Sequence, residues 1–525
     1  MKSVYDAVVI GSGFGGAITA CRLAQAGRSV CVLERGRRWA KQEFPRTLGQ
    51  MSHAFWNHKD LGILDYRVFR NIDVIQASGV GGGSLVYFNV HRRAHKEIFE
   101  RPQWPRAIKR ASLDPYYDRA REMLEARPLS APAGLPIPAR TRALMEGAKA
   151  SGRSPELVDI CVYTGPDRLN PYSGTAQQAC VYCGNCMLGC HLHAKNTLDL
   201  NYLAVAEKNG AEVFPLHEVH LIEPVSEPAN GYKVSYRRLD PTTAGSYERD
   251  SVIGRKVIVA AGALGSTELL LRCRDLHVTL PKISTRLGER FSGNGDMLIP
   301  ATVEMPTEID AAWGPSITAG VDCSTANNRI YIEDLGIPDP FFWYLQAALP
   351  MPGRIRALLK VVKEYVSRAL GRETKGPWGV EFQRLFGGGM IRSLPYLGMG
   401  TDSSDGKMSL KDSNLDLVWH KRGSRKMFAE METALRSLST AAKGRYQPSP
   451  LWHWPIRKLL TAHPLGGVAM SDDPNSGVVS EFGEVWNCPN LYVADGSTIP
   501  TALAINPSAT ISALAERTAE HLISA

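Results

Sequence analysis

The chain opens on an unbroken apolar run at residues 7–10 (AVVI), turns through GSGFGG at 11–16, follows a helical pattern to Gly27, and ends a second apolar run at Glu34. Short apolar runs bounded by turn residues read as buried strands, and the amphipathic stretch between them reads as a helix. The expected unit is strand, tight turn, helix, strand. The same pattern returns later. Residues 198–210 read as a helix stopped at Gly210, 211–239 alternate as a β-meander, and 254–272 (GRKVIVAAGALGSTELLLR) read as strand, small-residue turn and helix. The strand LYVAD ends at Asp495, and Pro507 opens a helix to about Leu522, since proline suits a first helical turn. Residues 127–140 are Pro-rich and read as a linker or surface loop. From about 300 to 455, strand-like alternations and turns dominate.

One stretch in that region differs. Residues 336–351 are aromatic and apolar, and 354–370 place Ile355, Leu358, Leu359, Val362, Val366, Ala369 and Leu370 at helical spacing among Arg354, Lys360, Lys363 and Arg368. A basic amphipathic helix suits either the cap of a core or the surface of an anionic membrane, where it would admit a lipophilic substrate.

The glycines of the first turn give the pattern its chemistry. Gly11 permits the sharp turn, Gly13 admits backbone N–H groups to a pyrophosphate, and Gly16 lets helix and strand pack closely. Glu34 stands where a carboxylate accepts from a ribose hydroxyl. A dinucleotide is the expected ligand, with FAD and a nicotinamide both open on these residues. A second glycine stretch, GVGGGSLVYFNV at 79–90, includes Gly79, Gly82, Gly83, Ser84 and Asn89 and brings backbone close to something flat or anionic.

Cys180, Cys183, Cys186 and Cys190 fall in the spacing C-x2-C-x2-C-x3-C, the run by which bacterial ferredoxins converge thiolates on an iron–sulfur cluster. The expectation is a single iron–sulfur cluster, 4Fe–4S with 3Fe–4S as an alternative, held by all four or by three of them with a recruited ligand such as Cys161, His191 or His193. Structural zinc is the alternative, because four thiolates also suit Zn2+. The chain has ten cysteines, four of them in this run and six scattered, a distribution unlike a disulfide framework.

GSGFGG followed by GVGGGS resembles the glucose-methanol-choline (GMC) oxidoreductases, especially their cholesterol-oxidase-like branch. HPLGGVAM from His463 and the continuous stretch NLYVADGSTIPTALAINPSATISALAER are similar to the same family. The resemblance implies FAD, held without a covalent bond because no His lies between Gly79 and Val90. It implies His463 and Asn506 as catalytic residues on the flavin N5 side, with Asp495 and Gly496 against the ribityl and pyrophosphate and Ala261 beside adenosine. Pro507 would open a helix whose free N–H groups face the negative charge of a reduced flavin. The implied activity is oxidation of a bulky or lipophilic alcohol, sterols included, by hydride transfer to N5. An imidazole near neutrality suits loss of the hydroxyl proton. Cholesterol oxidases also use an active-site Glu, and no motif singles one out. MGTDSSDGKMSL at 399–410 looks like the family's substrate-domain strand pair.

The expected fold class is α/β: a discontinuous Rossmann-like FAD-binding domain (1–48, 72–110, 195–300 and 456–525) and an α+β substrate domain with an antiparallel sheet. The substrate domain takes 301–455 with parts of 49–71 and 111–179, and 180–194 forms a cysteine loop. At 525 residues the chain exceeds one ordinary core. A cluster would pass electrons to an acceptor protein or quinone; an oxygen-using oxidase with structural cysteines and a non-catalytic electron-transfer protein are the alternatives. The net charge of +9 comes without a basic tail or nucleic-acid motif, so no nucleic-acid partner is expected. The first strand begins almost at Met1, leaving no room for a signal peptide, and no apolar run reaches the roughly 18 residues of a membrane span. A cytoplasmic enzyme, peripheral to a membrane at most, is the expectation.

Overall fold

A computed structural model describes residues 1–338 and 392–524 apart from 52, 131–133, 227–229, 244 and 450–457, together with 362, 363 and 366. The aromatic stretch from Phe341 to Tyr344 and most of the amphipathic stretch at 354–370 lie outside the described residues.

The fold is mixed α/β and is built on two sheets. The first has the strand order Glu212–Phe214, Val30–Leu33, Val4–Ile10, Tyr247–Val259, Gly231–Leu239 and His217–Val225, with Leu491–Val493 also pairing Tyr247–Val259. Its first four strands and Leu491–Val493 run parallel, and the last two form an antiparallel meander. Most of the parallel strands end in buried apolar runs (AVVI, VCVL, VIV and LYV) because both faces are covered there. Helix Phe14–Gln25 packs on one face, and helix Ser508–Ser524 packs on it in turn. The two helices are joined by Arg22 and the fully buried Glu516, which also accepts from the Tyr202 hydroxyl.

Register positions the site. Ile10 lies opposite Leu33 and Val259, Leu33 opposite Phe214, and Val259 opposite Val493. Five parallel strands therefore end level, and the residues that follow them converge at one edge, where open α/β sheets bind their ligands.

The second sheet is antiparallel, in the order Arg445–Gln447, Met297–Val303, Leu394–Gly400, Ile330–Asp334, Ala319–Asp322 and Pro155–Leu157. Helix Arg425–Ala441 lies across one face through Met427, Phe428, Met431, Leu435 and Leu438, and helix Ala139–Ala150 lies beside it. On Ile330–Asp334 the side chains alternate. Ile330 and Ile332 join the core under these helices, whereas Tyr331 joins the core shared with the first sheet, which puts Glu333 on the same inner side.

Two local expectations need correction. Residues 399–410 do not form a strand pair: Leu394–Gly400 is a central strand of the second sheet, and Lys407–Lys411 pairs with Asn414–Val418 in a separate hairpin. Asp402 makes the break, its carboxylate accepting from Ser292 Oγ, Gly295 N and Ser404 N. The 300–455 region also contains the 17-residue helix Arg425–Ala441. Its buried face follows the 3.6-residue period that alternation reading misses.

Candidate functional site

The level strand ends open into a cavity of about 660 Å3. Gly11, Gly13, Glu34, Gly82, Gly83, Ala261, Asp495, Gly496 and Pro507 line it, and so do His463 and Asn506. Gly16, Gly79, Ser84 and Asn89 do not line it and act from behind. A Cβ on Gly16 would stand 2.0 Å from the Gly11 carbonyl oxygen, so this glycine seats the helix on the turn. Ser84 Oγ donates to Gly81 O and accepts from Leu198 N, fixing the second glycine stretch rather than facing a ligand.

The two glycine stretches meet backbone to backbone. Gly82, at φ +51°, approaches Gly13 so closely that a Cβ would lie 2.5 Å from the Gly13 Cα. Ser12 fastens the crossing: its hydroxyl donates to Glu34 Oε2 at 2.6 Å and accepts from Gly81 N at 3.1 Å. Glu34 also accepts from Ser12 N and Gly36 N, so its carboxylate is held rigidly at the cavity edge. Asp495 is likewise engaged on both oxygens, by Ser497 N and Oγ on one and by Gly262 N and Ser266 Oγ on the other. Burial raises its pKa against these hydrogen bonds, and it ties the strand end Leu491–Val493 to helix Gly262–Leu271. Gly15 is a further requirement the fingerprint hides, since a Cβ there would sit 1.3 Å from the Ala494 carbonyl oxygen.

At the other end, His463 follows the strand Leu459–Thr461. Its Nδ1 lies 2.9 Å from Asp296 Oδ1, while Asp296 Oδ2 accepts from Thr461 Oγ1 and Ala462 N. That carboxylate holds a proton on Nδ1 and leaves Nε2 with its lone pair free. Asn506 is set by the loop before it. The Asn294 side chain accepts from Leu503 N and Ala504 N and donates to Ile505 O, which accommodates Ala504 at φ +55°. Asn506 Nδ2 then donates to Glu333 Oε2 at 3.2 Å.

Glu333 is the residue that sequence reading missed. It is fully buried directly behind Asn506, and burial pushes its carboxyl up to about 8; Asp334 and Asp296 add to the rise, whereas the Asn506 hydrogen bond and Arg92 oppose it. Its strand lies in the second sheet, far along the chain from both glycine stretches, and no motif surrounds it. The one usable signal was the acidic pair in IYIED.

The residues fit FAD. Where a Cβ on Gly13 or Gly83 would project there is nothing within 4 Å, so bare backbone faces the cavity. Asn506 Oδ1, in the cavity wall, is buried without a partner. Buried polar groups in that state await a ligand or water.

The GMC oxidoreductase pattern matches residues 5–274 in its N-terminal part and 402–515 in its C-terminal part. The chain belongs to the GMC oxidoreductase family. It is 29% identical to a cholesterol oxidase of Mycobacterium tuberculosis, over 99% of this chain and 91% of that protein. It is 28% identical to a cholesterol oxidase of Acinetobacter baumannii, over 99% of this chain and 94% of that one. In structure it superimposes on a formate oxidase of Aspergillus oryzae with a TM-score of 0.64, at 14% identity, covering 99% of this chain and 98% of that one. This GMC oxidoreductase is therefore an FAD-family enzyme. No helix among its described residues is long and apolar enough to cross a membrane.

The expectation of an iron–sulfur cluster, or of zinc, on Cys180, Cys183, Cys186 and Cys190 is not supported. Among the described residues no group of three or more His, Cys, Asp or Glu side chains is arranged to hold a metal ion. Cys180 is buried, Cys183 exposed, and Cys186 and Cys190 half-buried, all as free thiols. The run bends at Tyr182 and Gly184, both at positive φ, and then enters the short turn Cys186–Leu188, which spreads the thiols over different depths.

Proposed function

We propose that this GMC oxidoreductase oxidises a bulky, lipophilic alcohol, a sterol or long aliphatic alcohol, to the carbonyl. The observation that carries the reading is that His463 and Asn506, from separate segments, line the same cavity as the glycine crossing, with Glu333 bonded to Asn506 from behind. Gly11–Gly13, Gly82–Gly83 and Gly496 would hold FAD, which would supply the hydride acceptor.

The chain's own groups handle the proton and the orientation. His463 Nε2 takes the hydroxyl proton, and the Asp296 carboxylate stabilises the imidazolium that forms. Asn506 orients the substrate oxygen without titrating, because Glu333 fixes its amide from behind. The Glu333 carboxyl holds a second titratable proton behind Asn506, separated from the reacting oxygen by that amide. Helix Ser508–Ser524 begins at the cavity wall, anchored by Ser508 Oγ donating to Val90 O, and directs its N-terminus toward negative charge.

The cholesterol oxidase relatives favour a sterol and molecular oxygen as acceptor. The test is anaerobic bleaching of the flavin by a panel of sterols, long-chain alcohols and sugars, followed by reoxidation in stopped flow. Reduction by a sterol or fatty alcohol and rapid reoxidation by oxygen support the reading. Failure of every alcohol to bleach the flavin sinks it.

A further inference from the structure

The wall of the cavity beside Glu34 carries polar groups that neither the catalytic pair nor the glycine crossing uses. His217 N donates to Glu34 O at 2.8 Å, so the strand His217–Val225 starts directly beside Glu34. Its pairing with Gly231–Leu239 slips between Val219 and Leu221, which makes His220 the bulged residue, and a bulge re-aims the side chain it carries. His220 lines the cavity, as do Arg237 from the paired strand and Trp56 from the segment between the two glycine stretches.

Printed side-chain contacts tie the three into one cluster. The Trp56 and His58 rings meet edge to face at 5.0 Å, His58 Nε2 lies 3.1 Å from Glu218 Oε2, and Arg237 Nη1 reaches the same oxygen at 3.5 Å. Arg35 holds the indole: its guanidinium lies 4.3 Å from the Trp56 ring centre and is itself fixed by Asp65 at 2.5 Å. One polar atom of each member nevertheless lacks a partner. Trp56 Nε1, His220 Nδ1 and Arg237 Nε are all buried without a hydrogen bond, and buried polar atoms in that state call for a ligand or water. Trp56 Nε1–H and Arg237 Nε–H can only donate, whereas a neutral imidazole nitrogen donates or accepts. Burial, with Arg237 and Arg249 nearby, holds the His220 pKa below its ordinary value, so that ring is neutral at neutral pH.

We propose that Trp56, His220 and Arg237 form a purine-reading subsite by which this protein selects FAD over flavin mononucleotide (FMN). Two fixed donors and one group able to accept match adenine, which presents a ring nitrogen as acceptor beside an exocyclic amine as donor. The position agrees, because a carboxylate such as Glu34 accepts from the ribose and the base lies next to it. FMN has no base for these groups to meet. The proposal rests on the reading of this cavity as the FAD site, and it places the selection outside both glycine stretches, on the meander bulge and on Trp56. No bond is made or broken: the three residues contribute to affinity and to the choice of flavin, and the hydride step is left to the catalytic pair.

Flavin exchange in the full-length holoenzyme tests it. The protein is incubated with FMN in large excess over bound FAD and freed of unbound flavin, and the flavin it retains is identified by chromatography after denaturation. The parent is expected to keep FAD. Trp56→Leu and His220→Ala are expected to shift the retained FAD:FMN ratio toward FMN by about tenfold, the size of one or two lost hydrogen bonds. Trp56→Phe, which keeps a ring and drops the N–H, is expected to shift it by about threefold. His220→Gln, which keeps a donor and an acceptor, is expected to restore part of the preference. A ratio in every variant equal to the parent's overturns the proposal even where total flavin falls, since merely loosened packing weakens both flavins alike. Parent protein that binds neither flavin overturns the FAD reading together with the subsite, so the two failures are told apart.

Discussion

The two ends of the cavity are built from different materials. At the nucleotide end the backbone does the work: Gly13 crosses Gly82, Gly15 touches Ala494, and the level strand ends bring Gly11, Glu34 and Asp495 together. At the catalytic end side chains do it, with His463 set by Asp296 and Asn506 set by Asn294 and Glu333. Backbone contacts fail by steric exclusion and take the whole holoenzyme with them. Side-chain contacts fail by chemistry and leave the cofactor in place. Substitutions at the two ends should therefore separate FAD content from turnover.

The largest effect is expected at Gly15→Ala. A methyl 1.3 Å from the Ala494 carbonyl oxygen cannot be relieved by a rotamer, since both partners are backbone. The cost exceeds the about 1–3 kcal/mol of ordinary overpacking, so the variant should yield insoluble or FAD-free protein. Normal FAD content after purification would refute the backbone account. His463→Ala is the contrasting substitution. FAD should stay bound with an unchanged visible spectrum, while the rate of flavin reduction by alcohol falls about 100- to 10,000-fold, the range of a lost general base. Retained turnover removes His463 from the role assigned to it.

The same contrast explains what could be read from the chain. The nucleotide end follows from local rules, since glycine spacing, apolar runs and a terminal acid each fix one strand–turn–helix, and the parallel part of the sheet assembles from those units. His463 and Asn506 were visible because each sits inside a long stretch similar to the GMC family. Glu333 had no such flag. Its importance arises from a strand of the second sheet facing the end of the chain, a contact across 173 positions that no local pattern encodes. Helix Arg425–Ala441 went unread for another reason: its stripe of Met427, Phe428, Met431 and Leu435 lies among charged residues whose alternation suggested strands. The cysteine spacing was legible, but spacing describes a ligand set only after the thiols converge, and here they stand at different depths.

Glu333→Gln tests the catalytic end more finely. With its carboxyl pushed up to about 8, Glu333 is largely protonated at neutral pH and ionises above it. If the ionised form assists proton removal through Asn506, kcat/KM for alcohol rises with pH to a plateau above about 8. The glutamine variant keeps the hydrogen bond to Asn506, loses that rise, and falls about 100-fold on the alkaline plateau. An unchanged pH profile assigns Glu333 a purely structural role.

The smallest effect concerns stability rather than rate, and it comes from the same carboxyl. The folded protein keeps the Glu333 proton up to about pH 8, whereas the unfolded chain releases it above the ordinary value of 4.5. Between those values the folded state binds more protons, so the stability this group contributes is fully present below about 4.5 and is lost as pH rises through the folded value. Asp402 and Asp495, also raised by burial, act in the same direction, whereas buried His91, lowered to about 4, makes stability rise with pH up to about 6.5. Glu333→Gln removes one group of the first kind, so the difference in Tm between variant and parent should grow in the variant's favour as pH rises across this window. Thermal unfolding at fixed ionic strength from pH 5 to 8 reads the difference, and parallel curves for parent and variant would show that Glu333 titrates alike in the folded and unfolded states.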